Sequence, residues 1–208
     1  MALKDYIESV KLKTSYNNIV NNSINGKTFV ADFGNPYFEF EIKSIPMTRT
    51  TFYDNFQDLY LTENSSKIEK NMLPILGNTT NQIVFGDSFL KVYSTASTGA
   101  TSFQIQGFIN GEDEQYDYVS GQLVAGDLIT FSNQKKIYMV TNTVPVGSLS
   151  ATTVNIFPPL LTALTTSPQT TVNVTNISAQ VKSTNDVVEY SIGTENYYVF
   201  EQNFREVL

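Results

Sequence analysis

The stretch Val124-Ala125-Gly126-Asp127-Leu128-Ile129-Thr130-Phe131 places a turn directly before a run of apolar and β-branched residues. Glycine tolerates positive φ angles and aspartate caps neighbouring backbone groups, so Gly126-Asp127 predicts a tight turn. Ile, Val, Thr, Tyr and Phe suit pleated, half-buried surfaces, so residues 128–131 predict a strand. A second run, Lys136-Ile137-Tyr138-Met139-Val140-Thr141, predicts the next strand.

The same pattern repeats on both sides of this stretch. Turn residues such as Gly86-Asp87 and Asn110-Gly111 separate the runs, and Pro158-Pro159 ends the block. The predicted strands cover residues 82–85, 89–94, 102–108, 128–131, 136–141 and 153–157. Six short strands at this spacing predict a small β-barrel or sandwich.

Nearer the N-terminus, residues 37–42 alternate in polarity. Phe38, Phe40 and Ile42 point one way in a strand, and the glutamates between them point the other way. Residues 27–33 also predict a strand, and Gly34-Asn35-Pro36 separates the two runs. We therefore expect residues 27–42 to form an antiparallel hairpin.

Two segments show helical spacing of their apolar residues. Residues 63–73 predict an amphipathic helix, with Pro74 near its end, whose apolar face should pack on the first sheet. Residues 1–24 carry a weaker helical pattern, for which a mobile N-terminal arm is an equal alternative. The residue patterns in the rest of the chain predict strands, so the predicted fold class is mainly β with minor α.

The composition excludes several classes of chemistry. The chain has neither cysteine nor histidine, which removes disulfides, zinc sites and every mechanism with a histidine base. A net charge of −7 disfavours binding to nucleic-acid phosphates. The N-terminal residues lack the apolar stretch of a signal peptide, and no apolar run has the length of a membrane span. We expect no enzyme activity, no cofactor, no metal and no membrane insertion.

Carboxylates are the remaining candidates for chemistry. The cluster Glu112, Asp113, Glu114 and Asp117 has the ligand type that calcium prefers, but its order is not that of a calcium loop and favours a solvated acidic loop. Asp87 and Asp127 could supply the acid and base of a glycosidase or cell-wall hydrolase. Their position after glycine favours tight turns instead.

Aromatic and basic residues are the last candidates. The chain has 12 tyrosines and 14 phenylalanines, which suit either stacking on sugars or burial in cores and subunit interfaces. We favour burial. The basic pair Lys135-Lys136 predicts a hairpin shoulder rather than a site.

The order of the runs 124–131, 136–141 and 153–160 resembles a block in phage tail-tip proteins of the distal-tail or baseplate-hub type. In that block an Ala-Gly-Asp turn leads into a strand, then a Tyr-Val strand, then a strand ending in Pro-x-Leu. The block also occurs in other phage virion proteins. Gly126, Asp127, Tyr138, Pro158 and Pro159 carry the resemblance, each in a structural role as turn, sheet or strand-end residue.

The resemblance implies a split β-barrel-like assembly domain of residues 1–80 and 166–208, which carries an inserted small β-barrel or sandwich domain of residues 81–165. It implies a structural subunit of the phage tail tip or baseplate, made in the host bacterial cytoplasm and located in the virion. The implied partners are further copies of the chain and other tail proteins. A glycan-binding receptor module on the tail and a structural protein of the neck or tail tube remain as alternatives.

Overall fold

The computed structural model of the chain describes residues 6–16, 18–22, 25–32, 34–61, 66–69, 90–106, 121–146, 151–174, 177–184, 189–193 and 195–207. The fold is mainly β, as predicted, and this described part contains one α-helix. The elements in chain order are β1 (Ile7–Ser15), β2 (Asn18–Asn22), β3 (Thr28–Asp32), β4 (Tyr37–Ser44), α1 (Arg49–Leu61), β5 (Ser66–Glu69), β6 (Leu90–Val92), β7 (Ser102–Gln106), β8 (Gln122–Leu123), β9 (Leu128–Phe131), β10 (Ile137–Val140), β11 (Val144–Pro145), β12 (Thr152–Phe157), β13 (Thr171–Asn173), β14 (Ser178–Ser183), β15 (Glu189–Ile192) and β16 (Tyr198–Glu206).

Six strands from the two ends of the chain form one antiparallel sheet, which we call the outer sheet. Its order is β1-β4-β16-β14-β5, with β15 also beside β16. In β4 every second residue is buried, including Phe38, Phe40 and Ile42, as the alternation predicts. The buried face of β16 lies beside them, with Phe204 directly opposite Phe40.

Helix α1 covers this buried face. Thr48 precedes the helix, and its Oγ1 accepts a hydrogen bond from the Thr51 N–H at 3.4 Å, which satisfies one of the free N–H groups of the first turn. Phe52 and Phe56 lie one helical turn apart, with ring centroids 6.0 Å apart, and Phe56 packs 5.2 Å from Phe200. These aromatic rings form the centre of what we call the sheet core.

The middle of the chain forms a closed six-stranded barrel in the order β10-β12-β7-β6-β13-β9. Its own core contains Phe103, Phe131 and Tyr138, whose rings meet edge to face at 5.0 and 5.3 Å. Five of the six predicted strands correspond to β6, β7, β9, β10 and β12. The sixth, residues 82–85, lies outside the described residues.

One wall of the barrel also belongs to the sheet core. All four residues of β9 are buried, because Ile129 and Phe131 face the barrel interior while Leu128 packs in the sheet core. In β10, Ile137 also packs in the sheet core, while its neighbour Tyr138 faces the barrel interior. The contact between the barrel and the outer sheet is therefore an apolar seam rather than a loose linkage.

Both predictions for residues 1–24 were wrong for residues 6–16 and 18–22, which are the part of this segment that the structure describes. β1 is a nine-residue edge strand of the outer sheet, and β2 pairs with β3. Val10 and Leu12 are partly buried and pack on the sheet core, while Lys11 and Lys13, which alternate with them, are exposed. A strand fits this alternation, which the helical interpretation overlooked.

The predicted hairpin of residues 27–42 was also wrong in its pairing, although both strands exist. β3 pairs with β2 through a turn at Asn25-Gly26, where Gly26 has φ +73°. β4 pairs instead with β1 and β16. β16 lies more than 150 residues further along the chain, so sequence proximity gave the wrong partner for β4.

The predicted helix of residues 63–73 was wrong where the structure describes it. Residues Ser66–Glu69 form β5, which pairs with β14, and residues 62–65 and 70–73 lie outside the described residues. The helix that covers the sheet lies one segment earlier. The division into domains 1–80 plus 166–208 and 81–165 stays a prediction, although the barrel takes β13 from beyond residue 165.

Candidate functional site

The predicted turn motif lies between β8 and β9. Gly126 has φ +100° with open space around its α-carbon, so its backbone angle, not crowding, requires glycine. Its N–H donates to the Val140 carbonyl at 2.8 Å, and the Val140 N–H donates to the Asp127 carbonyl at 2.8 Å. Asp127 Oδ2 accepts a bond from the Val124 N–H at 2.8 Å. The carboxylate therefore closes the turn on which β9 begins.

Tyr138 connects two segments inside the barrel. Its hydroxyl donates to Gln134 Oε1 at 2.7 Å and accepts from the Leu161 N–H at 3.0 Å. Burial raises the pKa of Tyr138 to about 12; the hydrogen bond from Leu161 acts in the opposite direction. The phenol is neutral at ordinary pH and holds the segment that follows β12 against β10.

Pro158 and Pro159 begin that segment. Pro158 is buried and Pro159 half-buried, directly after the end of β12 at Phe157. Leu160, the next residue, exchanges backbone hydrogen bonds with the loop before β7, donating to the Ala100 carbonyl at 2.9 Å. The prolines thus turn the chain from β12 across the end of the barrel.

The other predicted carboxylates cannot be placed. Asp87 and the cluster Glu112, Asp113, Glu114 and Asp117 lie outside the described residues. Within the described ranges, no three acidic side chains are grouped in a way that could hold a metal ion.

A buried ion pair joins the barrel to the outer sheet, and the sequence reasoning missed it. Lys136 Nζ lies 3.1 Å from Glu206 Oε2, and both side chains are fully buried. Lys136 also donates to the Pro36 carbonyl at 2.8 Å, and Glu206 Oε1 accepts from the Ile137 N–H at 2.6 Å. The sequence reasoning placed Lys136 at a hairpin shoulder and did not foresee that its side chain is buried in an ion pair.

Burial dominates the electrostatics of this pair. It lowers the pKa of Lys136, and the charge and hydrogen bond of Glu206 offset part of that effect. Glu206 carried a signal in the sequence, since it continues the i, i+2 series of buried residues Phe200, Gln202 and Phe204 along β16. A carboxylate at that position predicts a buried partner, because an unpaired buried charge is costly.

Other ion pairs of the outer sheet are exposed to solvent, unlike the buried pair of Lys136 and Glu206. Lys11 and Lys13 both bond to Glu41 on the neighbouring strand, and these two lysines hold the pKa of Glu41 at about 2. Lys43 and Glu8 form a second exposed pair at 2.8 Å. Such solvated pairs contribute little to stability.

Among the residues that the structure describes, the β2–β3 hairpin carries the most exposed apolar side chains. Phe29 is 62% exposed, and Val20 and Val30 are each 58% exposed. Val20 lies opposite Val30 on one face, and Phe29 lies opposite Asn21 on the other. In the described part of the chain, β2 and β3 pair only with each other. We call this element the apolar hairpin.

No protein-family model matches the chain, and no curated protein shows a significant match to its sequence. The described helix is not long and apolar enough to cross a membrane.

Proposed function

We propose that this protein is a structural subunit of a bacteriophage tail tip or baseplate, which assembles into a ring or hub. Its partners would be further copies of the chain and neighbouring tail proteins. The apolar hairpin carries the proposal, because it exposes large apolar side chains on both faces of a two-stranded sheet. Such a sheet is marginally stable alone and gains stability when a partner covers it.

The contrast between the strand edges supports an assembly role. β1 also lies at an edge, but Lys11 and Lys13 and a register irregularity between Ile7 and Ser9 discourage further pairing. β2 has no charged residue, and β3 has only Asp32, at its end. The hairpin edges therefore lack the protection that the β1 edge has.

The resemblance supplies the phage context. The block 124–160, on which it rests, forms β9, β10 and β12 of the barrel. Its motif residues hold turns and strand ends, as the contacts of Asp127 and Tyr138 illustrate. Such structural contacts suit a scaffold protein, whose role calls for no substrate or cofactor, and they support the proposal.

The mass of the purified protein tests the assembly role. We expect mass photometry or light scattering to detect oligomers, and we expect F29S/V30K to shift the protein towards the monomer. Both positions are exposed, so the variant should keep the parent's fold, measured by far-UV circular dichroism, while it loses the stability that assembly adds. Tyr93→Ser is the matched control, because Tyr93 is 52% exposed but lies outside the hairpin, beside β6. A strictly monomeric parent, or equal effects of both variants, would count against the hairpin as the assembly surface.

A glycan-binding module on the tail is the second candidate. Exposed tyrosines favour it, because aromatic rings stack on sugars: Tyr16, Tyr93 and Tyr197 are 57%, 52% and 41% exposed. Saturable binding to host-envelope glycans on an array, lost in a variant with all three tyrosines replaced by serine, would favour this function. Binding to no glycan, together with assembly through the hairpin, favours the scaffold.

A further inference from the structure

The Lys136–Glu206 pair sits within an otherwise apolar seam. Leu128, Ile137, Met139 and Phe157 of the barrel pack into the sheet core. Apolar contact is non-directional, since it depends mainly on the area removed from water. These side chains alone would tolerate a barrel that is shifted or rotated slightly against the outer sheet.

The polar contacts at the seam are directional. Glu206, on β16, accepts from the Ile137 N–H and from Lys136 Nζ of the barrel, and it also accepts from the Phe38 N–H of β4 at 3.3 Å. Lys136 reaches the Pro36 carbonyl just before β4. Three of these four bonds cross the seam, and they converge on two side chains that have no access to water.

From this geometry we infer that the Lys136–Glu206 pair sets the orientation of the barrel on the outer sheet. A displaced barrel would leave a lysine or a carboxylate buried without its partner, which is far more costly than a displaced apolar contact. The pair thus selects one arrangement and contributes little net stability, because desolvation of two charges offsets their attraction. This inference is independent of the proposed function.

Distances measured between the barrel and the outer sheet test this role of the Lys136–Glu206 pair. The chain has no cysteine, so Thr98→Cys on the barrel and Ser191→Cys on β15 accept spin labels without further changes. Both positions are exposed. The protein with both cysteines is the parent for the variants below. Double electron–electron resonance should give one narrow distribution of distances between its two labels. In the apolar replacement K136M/E206L we expect a second distance or a broader distribution, with unfolding that remains cooperative.

The matched control removes the exposed pair on the outer sheet. K43M/E8L should leave the distance distribution unchanged, since the Lys43–Glu8 pair is exposed to solvent and both residues lie on strands of the outer sheet. A folded K136M/E206L with the parent's narrow distribution would overturn the inference. If that variant does not fold, K136M/E206Q decides by the same readout, because glutamine keeps the shape and an acceptor for the Ile137 N–H. Failure of both variants to fold would also overturn it, since the pair would then be needed for folding itself.

Discussion

Two adjacent lysines show how far the sequence determines the role of a single residue. Lys135 is exposed, whereas Lys136 is buried beside Glu206. The strand period predicts that Lys135 and Lys136 point in different directions, but it does not give the partner, which lies 70 residues away. Local patterns predict which face a residue occupies, and long-range packing decides what it meets there.

At this scale, Lys136→Met should leave the Glu206 carboxylate buried without its cation. We expect the free energy of unfolding to fall by about 3–5 kcal/mol, measured by chemical denaturation. Lys135→Met is the control, and it should change stability by less than about 0.5 kcal/mol because Lys135 is exposed. Equal effects of the two substitutions would contradict the buried pair.

The turn glycine gives a second residue-scale prediction. Gly126→Ala places a side chain at φ +100°, a conformation that should cost about 1–3 kcal/mol of stability. Gly193→Ala is the matched control, because its added methyl would lie 3.9 Å from the Tyr197 carbonyl in ordinary contact. If thermal denaturation shows the same small change for both variants, the turn does not require glycine.

The buried phenol of Tyr138 gives a pH dependence. Its folded-state pKa is raised from 10.0 to about 12, so its contribution is complete below pH 10 and is lost as the pH rises through 12. The parent should therefore lose stability between pH 10 and 12 more steeply than Tyr138→Phe, which has no phenol there to ionise. If the free energies of unfolding of the parent and of Tyr138→Phe fall in parallel between pH 10 and 12, the raised pKa of Tyr138 is contradicted.

At the scale of elements, strands were predicted better than their pairing. The alternation in β4 and the turns around β9 depend on neighbouring residues, so the sequence carries them. The pairing of β4 with β16 depends on chain segments far apart, which no local pattern contains. The helix was predicted too late, because the apolar spacing that continues past residue 61 looked helical, whereas residues 66–69 lie in a strand that pairs with β14.

The apolar hairpin is the element whose stability should depend on assembly. β2 and β3 have only each other as described neighbours, while β4 has a neighbour on both edges. In F29S/V30K we expect hydrogen exchange in the hairpin to be much faster than in β4. In the assembled parent the hairpin amides should become protected. Fast exchange in both proteins would mean that the hairpin does not take part in assembly.

At the scale of the whole molecule, the sequence predicted a small β-barrel or sandwich, and the resemblance implied a domain built from both chain ends; the structure has a closed barrel. The barrel was predictable because its short strands and turns follow each other closely along the chain. The seam was not, because it depends on residues such as Leu128 and Ile137 facing a second core. The exposure of the hairpin was equally hidden, since Phe29 and Val30 in a strand first suggest burial.

The location of the protein in the virion tests the central claim most directly. Negative-stain imaging of purified phage particles, with gold-labelled antibody against this subunit, measures that location. We predict label at the distal end of the tail, in a ring or hub. Label at the neck or along the tail tube would indicate another structural role, and particles without label would contradict the assignment to the virion altogether.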